Sequence, residues 1–232
     1  TRKPQVPPDV LSTWINGLTG RMGKAISTAI SQTPELSLLG GSSKEYTFDL
    51  KMLSADVILD FSLPEASEKL ATFLATNHST KPVIVGTTGL TQTCKTQWET
   101  LGKKAPILIA PNTSLGILLL NHALSAIKQL EFIKKFDVSI QETHHTGKKD
   151  APSGTALLLA QQLDMGTVPI ESLRAGDNPG EHLVKLTGPY EQITLGHQAF
   201  SRELFAHGAL TLSKWLTRQA IGCYHINQVN LF

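Results

Sequence analysis

The stretch ETHHTGKKDAPSGTAL, Glu142 to Leu157, gathers two adjacent histidines, a lysine pair, an aspartate and a Pro-Ser-Gly-Thr step ahead of an apolar run. His144 and Lys148 lie four positions apart, close enough in a loop to converge on one ligand. An imidazole donates a proton near neutral pH, and an ammonium holds negative charge as it develops on a substrate. The neighbouring His145 is expected to point elsewhere, to a substrate carboxylate or into packing. Asp150 or Ser153 is placed to cap the helix that GTALLLAQQL begins, with Pro152 in its first turn, where a missing N–H costs nothing. The Gly154 and Thr155 amides then head that helix, where a carboxylate is stabilised. The combination suits a small anion that is protonated during reaction. Two plainer readings compete: a metal on the histidine pair, for which no nearby carboxylate or cysteine has a familiar zinc spacing, and a capped helix with surface histidines. No metal is expected.

A second constellation, INGLTGRMG, follows the first β-prone run and opens the first helical one, with Gly17, Gly20 and Gly23 three residues apart. Glycines there allow a tight turn and close approach to a pyrophosphate, whose charge the helix amides receive. Arg21 adds a positive charge, but Thr19 stands where G-x-G-x-x-G has its second glycine. After the second run, LLGGSSKEY offers Ser42, Ser43 and Lys44 and no carboxylate at the turn. That composition suits a 2′-phosphate, and so NADP, unless Glu45 meets a ribose hydroxyl slightly later. The stretches DFSLPE, GTTGL and APNTSLG supply further small donors, notably Gly86, Thr87, Thr88, Asn112 and Thr113.

These residues need a scaffold, and the pattern from residue 11 to 110 provides one. Short β-prone runs (LSTWIN, LSLLGG, DVILDF, PVIVG, PILIAP) alternate with helical patterns, the signature of a parallel sheet covered by helices. In the first helix Met22, Ile26, Ala29 and Ile30 form one stripe. Beyond Pro111 the pattern changes to a helix over about 115–135, a strand DVSIQET, the motif loop and a second helix. RAGDNPGEH reads as a connection leading to two strands, HLVKLT and YEQITLGH, and a last helix spans about 202–218. The expected fold class is α/β, a Rossmann-like dinucleotide-binding domain (10–112 plus about 209–232) with an antiparallel α+β domain (113–208).

Composition narrows the function classes. With 21 basic and 19 acidic residues the chain has no electrostatic footprint for a nucleic acid, so a small ligand is expected. Its apolar runs fall well short of the roughly 18 residues a membrane helix needs. Residues 1–9 are polar and proline-rich, without the apolar centre of a secretory signal, and are left out of the fold. Cys94 and Cys223 are too few for a disulfide framework, which points to a reducing cytoplasm. The remaining histidines, 78, 122, 182, 197, 207 and 225, read as surface or structural; His197 and Arg202 in GHQAFSR could brace a substrate or a domain junction.

In GLTGRMG, VIVGTTGL, APNTSLGI, ETHHTGKKDAPSGTAL, GEHLVKL and GHQAFSRELFAHGAL, in this order from about residue 11 on, the chain resembles bacterial dihydrodipicolinate reductase, also called 4-hydroxy-tetrahydrodipicolinate reductase. The His-His to Ser-Gly-Thr block carries most of that specificity. The resemblance implies a Rossmann-like cofactor domain and an α+β domain that holds the substrate and builds a homotetramer through its sheet. It implies reduction of a cyclic dicarboxylate by NADH or NADPH, with loss of water, in lysine and diaminopimelate biosynthesis. His144 becomes the proton donor, Lys148 its charge-holding partner, and His145, Gly154 and Thr155 substrate contacts. Gly17, Leu18, Thr19, Gly20, Arg21 and Met22 become the pyrophosphate turn. Gly86, Thr87 and Thr88 take the nicotinamide region, with Ala110, Pro111, Asn112 and Thr113 at the strand edge above it. Ser43 and Lys44 stand where many members have an acid and an arginine, which argues against a strong NADH preference.

Overall fold

The computed structural model describes residues 10–43 and 48–231. It forms two compact units, one containing the chain up to Thr113 together with the segment from Phe205 onward, the other Ser114–Leu204. The first half of the chain runs β1 (Leu11–Asn16), α1 (Arg21–Ser31), β2 (Leu36–Ser42), β3 (Val57–Asp60), α2 (Pro64–Thr76), β4 (Val83–Val85), α3 (Gln92–Leu101) and β5 (Pro106–Ile109). The second half runs α4 (Leu115–Ile127), β6 (Asp137–His144), α5 (Gly154–Leu163), β7 (Ile170–Arg174), β8 (Glu181–Thr187), β9 (Gln192–Gln198), α6 (Glu203–Leu216) and β10 (Gly222–His225).

The first unit is built on a six-stranded, wholly parallel sheet in the order β10-β5-β4-β3-β1-β2. Its central strands read as continuous apolar runs because both faces are covered: Val57, Ile58, Leu59, Val83, Ile84 and Val85 are all buried. The α1 stripe is as expected at Ile26, Ala29 and Ile30, with Met22 half-buried where the helix begins. Trp98 of α3 is enclosed, and its indole N–H donates to Ser67 of α2 at 3.1 Å, satisfying the one polar atom it brings inside. The chain order reverses between β1 and β3, so the carboxyl ends of these strands, Asn16 and Asp60, flank the crevice where such sheets bind ligands.

The second unit departs from the purely antiparallel expectation. Its sheet runs β7-β6-β8-β9, with β6 and β7 parallel and the other pairs antiparallel. Strand β7 is missing from the sequence reading because IESLR has no apolar run; its partial burial alternates along a sheet edge. The helix expected over 115–135 ends at Ile127, where Leu130 turns extended and a 3-10 turn, Glu131–Lys135, brings Ile133 into the core. Alternation sets Ile140, Glu142 and His144 of β6 on one face with Val184 and His182 of β8. The apolar rungs of that face pack Leu120 and Leu124 of α4 and Ala156, Leu159 and Leu163 of α5. Each such leucine contributes about 1.5–3 kcal/mol by burial. Further along the same face the rungs become polar, and there the interior is held by pairing.

Candidate functional site

The polar rungs assemble from all four strands of this sheet. Strand pairing puts Ser172, Glu142, His182 and His197 in one row across β7, β6, β8 and β9, and Arg174 and His144 in the next. Glu142 has no solvent-exposed surface. Its Oε1 accepts from Arg174 Nη2 at 2.8 Å and from the Ser153 amide at 3.2 Å, while Oε2 accepts from Arg174 Nη1 at 3.0 Å and from His144 Nδ1. Burial alone would raise this carboxyl, but the hydrogen bonds, led by those of Arg174, outweigh it and hold Glu142 down to about 2. His144 is itself buried, which lowers its pKa; Glu142 pulls the other way, and the Lys148 and Arg174 charges oppose protonation. The net direction is down, so the free ring is neutral near pH 7, with Nδ1 facing the ionised carboxylate.

The His182 ring meets that of His144 edge-on, with centroids 5.1 Å apart, and burial drives it down to about 3. The two helices of this unit start at this end of the sheet in matching fashion. Ser153 caps α5 by accepting from the Ala156 amide and contacts His182 Nε2 at 3.2 Å; Ser114 caps α4 by accepting from the Ile117 amide and contacts His197 Nε2 at 3.1 Å. Each helix start is thereby tied to a histidine of the sheet.

Several expectations change here. His144 is the last residue of β6, not a loop residue, because the alternation begun at Ile140 continues to it. Ser153 is the α5 cap; Asp150 instead pairs with Lys148 at 2.8 Å, and Pro152 precedes the cap, outside the helix. His145 lies just past the strand end, its ring beside Gly147. Gly154 is exposed at the first α5 position, and a Cβ there would meet nothing within 4 Å. Thr155 follows it. Of the two readings left open for His182, surface or structural, the second applies, since it is buried. Glu142, Arg174 and His182 escape the sequence reading because strand register alone joins them; a glutamate two residues before a histidine in a β-run was the one available signal.

In the first unit, Gly17–Gly20, Ser43, Gly86–Thr88 and Ala110–Thr113 follow the carboxyl ends of β1, β2, β4 and β5 and so share one sheet edge. Lys44 and Glu45 lie outside the described residues. The turn after β1 fits a nucleotide. Gly17 has φ +90°, and a Cβ there would come within 2.4 Å of the Phe61 carbonyl. Among the described residues no side chain caps α1 at Gly20, which leaves its first amides, from Arg21 on, to an external acceptor. The Gly17 and Leu18 amides, by contrast, donate to the Ser42 carbonyl at 2.8 and 3.0 Å and serve the turn itself.

The hydroxyls of this edge are more committed than their sequence suggests. Ser42 accepts from the Trp14 indole at 3.0 Å and is buried, which removes it from the 2′-phosphate group of residues. Thr87 accepts from the Ser62 amide at 3.0 Å, and Thr113 donates to the Phe205 carbonyl at 2.7 Å. Beneath them Asp60, fully enclosed, accepts from Asn16 Nδ2 at 2.8 Å and Ser62 Oγ at 2.6 Å. Burial raises its carboxyl pKa despite those bonds.

Two family models cover the chain: that described as dihydrodipicolinate reductase, N-terminus, matches residues 11–113, and that described as dihydrodipicolinate reductase, C-terminus, matches 116–229. The chain belongs to the dihydrodipicolinate reductase family. The 4-hydroxy-tetrahydrodipicolinate reductase of Zymomonas mobilis is 37% identical, over 92% of this chain and 94% of its own. That of Campylobacter jejuni serotype O:6 is 35% identical over 92% and 96%. Among solved structures, a dipicolinate-bound dihydrodipicolinate reductase from Paenisporosarcina sp. TG-14 superposes with a TM-score of 0.77 at 20% identity, covering 95% of this chain and all of that one. The DAP dehydrogenase of C. glutamicum follows the same fold more loosely, with a TM-score of 0.60 at 11% identity over 96% and 94%. As a dihydrodipicolinate reductase family member, the protein is an NAD(P)H-dependent oxidoreductase whose first unit is the dinucleotide-binding domain.

Proposed function

We propose that this protein reduces 4-hydroxy-tetrahydrodipicolinate to tetrahydrodipicolinate with loss of water, in lysine and diaminopimelate biosynthesis, using His144 as proton donor. The observation that carries this reading is the buried His144, its Nδ1 bound to an ionised Glu142, in the same cluster as the Ser153-capped start of α5. The amino end of α5, headed by Gly154 and Thr155, receives a substrate carboxylate at the positive end of the helix dipole. His145 offers a second contact to the dicarboxylate. Lys148, released from its exposed partner Asp150, holds negative charge developing on the ring; an exposed pair of that kind contributes only about 0–1 kcal/mol, so the exchange costs little. A dianion beside His144 favours the imidazolium, which places a transferable proton on Nε2.

The bound nicotinamide supplies the hydride. Toward that cofactor, the residues from Gly17 to Met22 offer the pyrophosphate a glycine turn and open helix amides, with Arg21 adding charge. Gly86–Thr88 and Ala110–Thr113 line the nicotinamide side of the same edge. The case for NADPH over NADH rests on Ser43 and on the absence of a carboxylate immediately after β2, since the Ser42 hydroxyl is engaged by Trp14. A homotetramer formed through the outward sheet face, where Leu173 is 47% exposed beside Thr143, completes the reading, and light scattering would measure it. The cytoplasm is the compartment proposed.

The test is NADPH and NADH oxidation, followed by nicotinamide absorbance, with substrate generated in place by dihydrodipicolinate synthase. Oxidation that requires both the synthase product and this protein is expected. A folded sample that binds a dinucleotide yet oxidises neither cofactor would remove the assigned reaction.

A further inference from the structure

Burying an ion pair is a poor way to gain stability, because desolvation offsets the attraction and an apolar replacement is often neutral or better. Glu142 is nevertheless fully enclosed, with the half-buried Arg174 reaching it from the edge strand β7, and their bonds have a direction. The four donors reaching the carboxylate come from three places: both outer guanidinium nitrogens of Arg174 on β7, Nδ1 of His144 on β6, and the amide of Ser153 at the start of α5. A carboxylate offers about four lone-pair positions, so none remains for a proton. It therefore accepts only, and Nδ1 of His144 must carry the hydrogen.

We propose that Glu142 is a positioning residue for this site, fixing the tautomer of His144 and locating the amino end of α5 through the same carboxylate. The consequence is geometric. With Nδ1–H committed to Glu142, Nε2 is the one ring nitrogen that can take up and deliver a proton. On the Nε2 side stands Gly180, where a Cβ would sit 3.0 Å from that atom; glycine leaves it uncrowded. Because the second Glu142 oxygen holds the Ser153 amide, any shift of the carboxylate moves donor and anion-receiving amides together. A purely structural ion pair would require neither result.

The inference rests on the reading of His144 as proton donor, and the experiments separate the two. In the full-length protein, ring ¹⁵N resonances of His144, assigned by their loss in His144→Gln, are expected to show protonated Nδ1 and bare Nε2 in the neutral form. The reverse tautomer would overturn the proposal without any Glu142 variant having to fold. In kinetics, Glu142→Gln is expected to lower kcat about tenfold or more while leaving the KM for NAD(P)H unchanged. The decline of kcat at high pH should also move to lower pH, since removing the carboxylate leaves His144 facing the cations Lys148 and Arg174 and the His182 ring. Glu142→Asp, which keeps the charge, should restore the position of that decline. A Glu142→Gln enzyme with wild-type kcat and an unmoved pH profile would overturn the proposal. Normal turnover in His144→Gln would instead remove the proton-donor reading and leave the tautomer result standing.

Discussion

The dinucleotide edge of the first unit and the polar rungs of the second are both made at the end of a sheet, yet from opposite materials. The first is backbone: a glycine turn at positive φ, uncapped helix amides, and hydroxyls that brace neighbouring turns. Its enclosed carboxyl, Asp60, is pushed toward its neutral form. The second is side-chain charge: an ionised glutamate, a guanidinium and two buried imidazoles within one face. A cofactor that arrives with its own chemistry needs shape and amide dipoles, whereas a proton donor needs neighbours that set which nitrogen holds the proton and when. Loss of the first should therefore show as binding, and loss of the second as rate.

The largest separation is expected from His144→Gln and Lys148→Ala. Each should lower kcat by about 10²-fold or more, as loss of general-acid or charge-stabilising groups does, with cofactor Kd by fluorescence unchanged. A matching loss of cofactor affinity would break the division of labour. Arg174→Met comes next on the stability axis. It strands Glu142 without its cation, at a cost of about 3–5 kcal/mol in chemical denaturation, against roughly 0–1 kcal/mol for Lys148→Met, whose partner stands in water.

Gly17→Ala is the mirror experiment. A Cβ at that φ and 2.4 Å from a carbonyl adds about 1–3 kcal/mol of strain, and the expected readout is a cofactor Kd raised roughly five- to a hundredfold. Turnover at saturating cofactor should stay near wild type. A fall in kcat with unchanged affinity would sink the assignment of that turn to cofactor binding.

A separate effect appears in acid. The folded-state pKa of His182 is depressed from 6.5 to about 3, so its contribution to stability is whole above 6.5 and lost as pH falls toward 3. Glu142, depressed from 4.5 to about 2, adds a second loss below 4.5. Thermal melts of His182→Gln should be less sensitive to pH between 6.5 and 4.5 than wild type, with His144 and His197, also lowered, supplying the remaining slope. Equal slopes in the two proteins would refute the burial argument for His182.

This contrast also explains what was legible in the chain. Glycine spacing and β/α alternation are local patterns, so β1 to β5, α1 and the turn at Gly17 could be read directly. The β7 strand could not, since IESLR lies on a sheet edge and has neither an apolar run nor strict polarity. Nor could the clamp on Glu142, whose partner Arg174 is 32 residues away in sequence and becomes a neighbour only through the parallel register of β6 and β7. Ser42 shows the opposite error: a hydroxyl in a suggestive place is already engaged by Trp14, a residue that the motif does not contain.

Phe61 carries a last consequence. Its carbonyl lies where a Gly17 side chain would project, and its ring occupies the place of a Gly86 side chain, 2.3 Å from the Cβ position. Two turns far apart in the chain are thereby wedged by one residue. In a mutational library, single replacements larger than alanine at either glycine should be dead ends. Trimming Phe61 to a smaller side chain should open position 86 but leave position 17 closed, because the obstruction there is backbone that every residue at 61 would present.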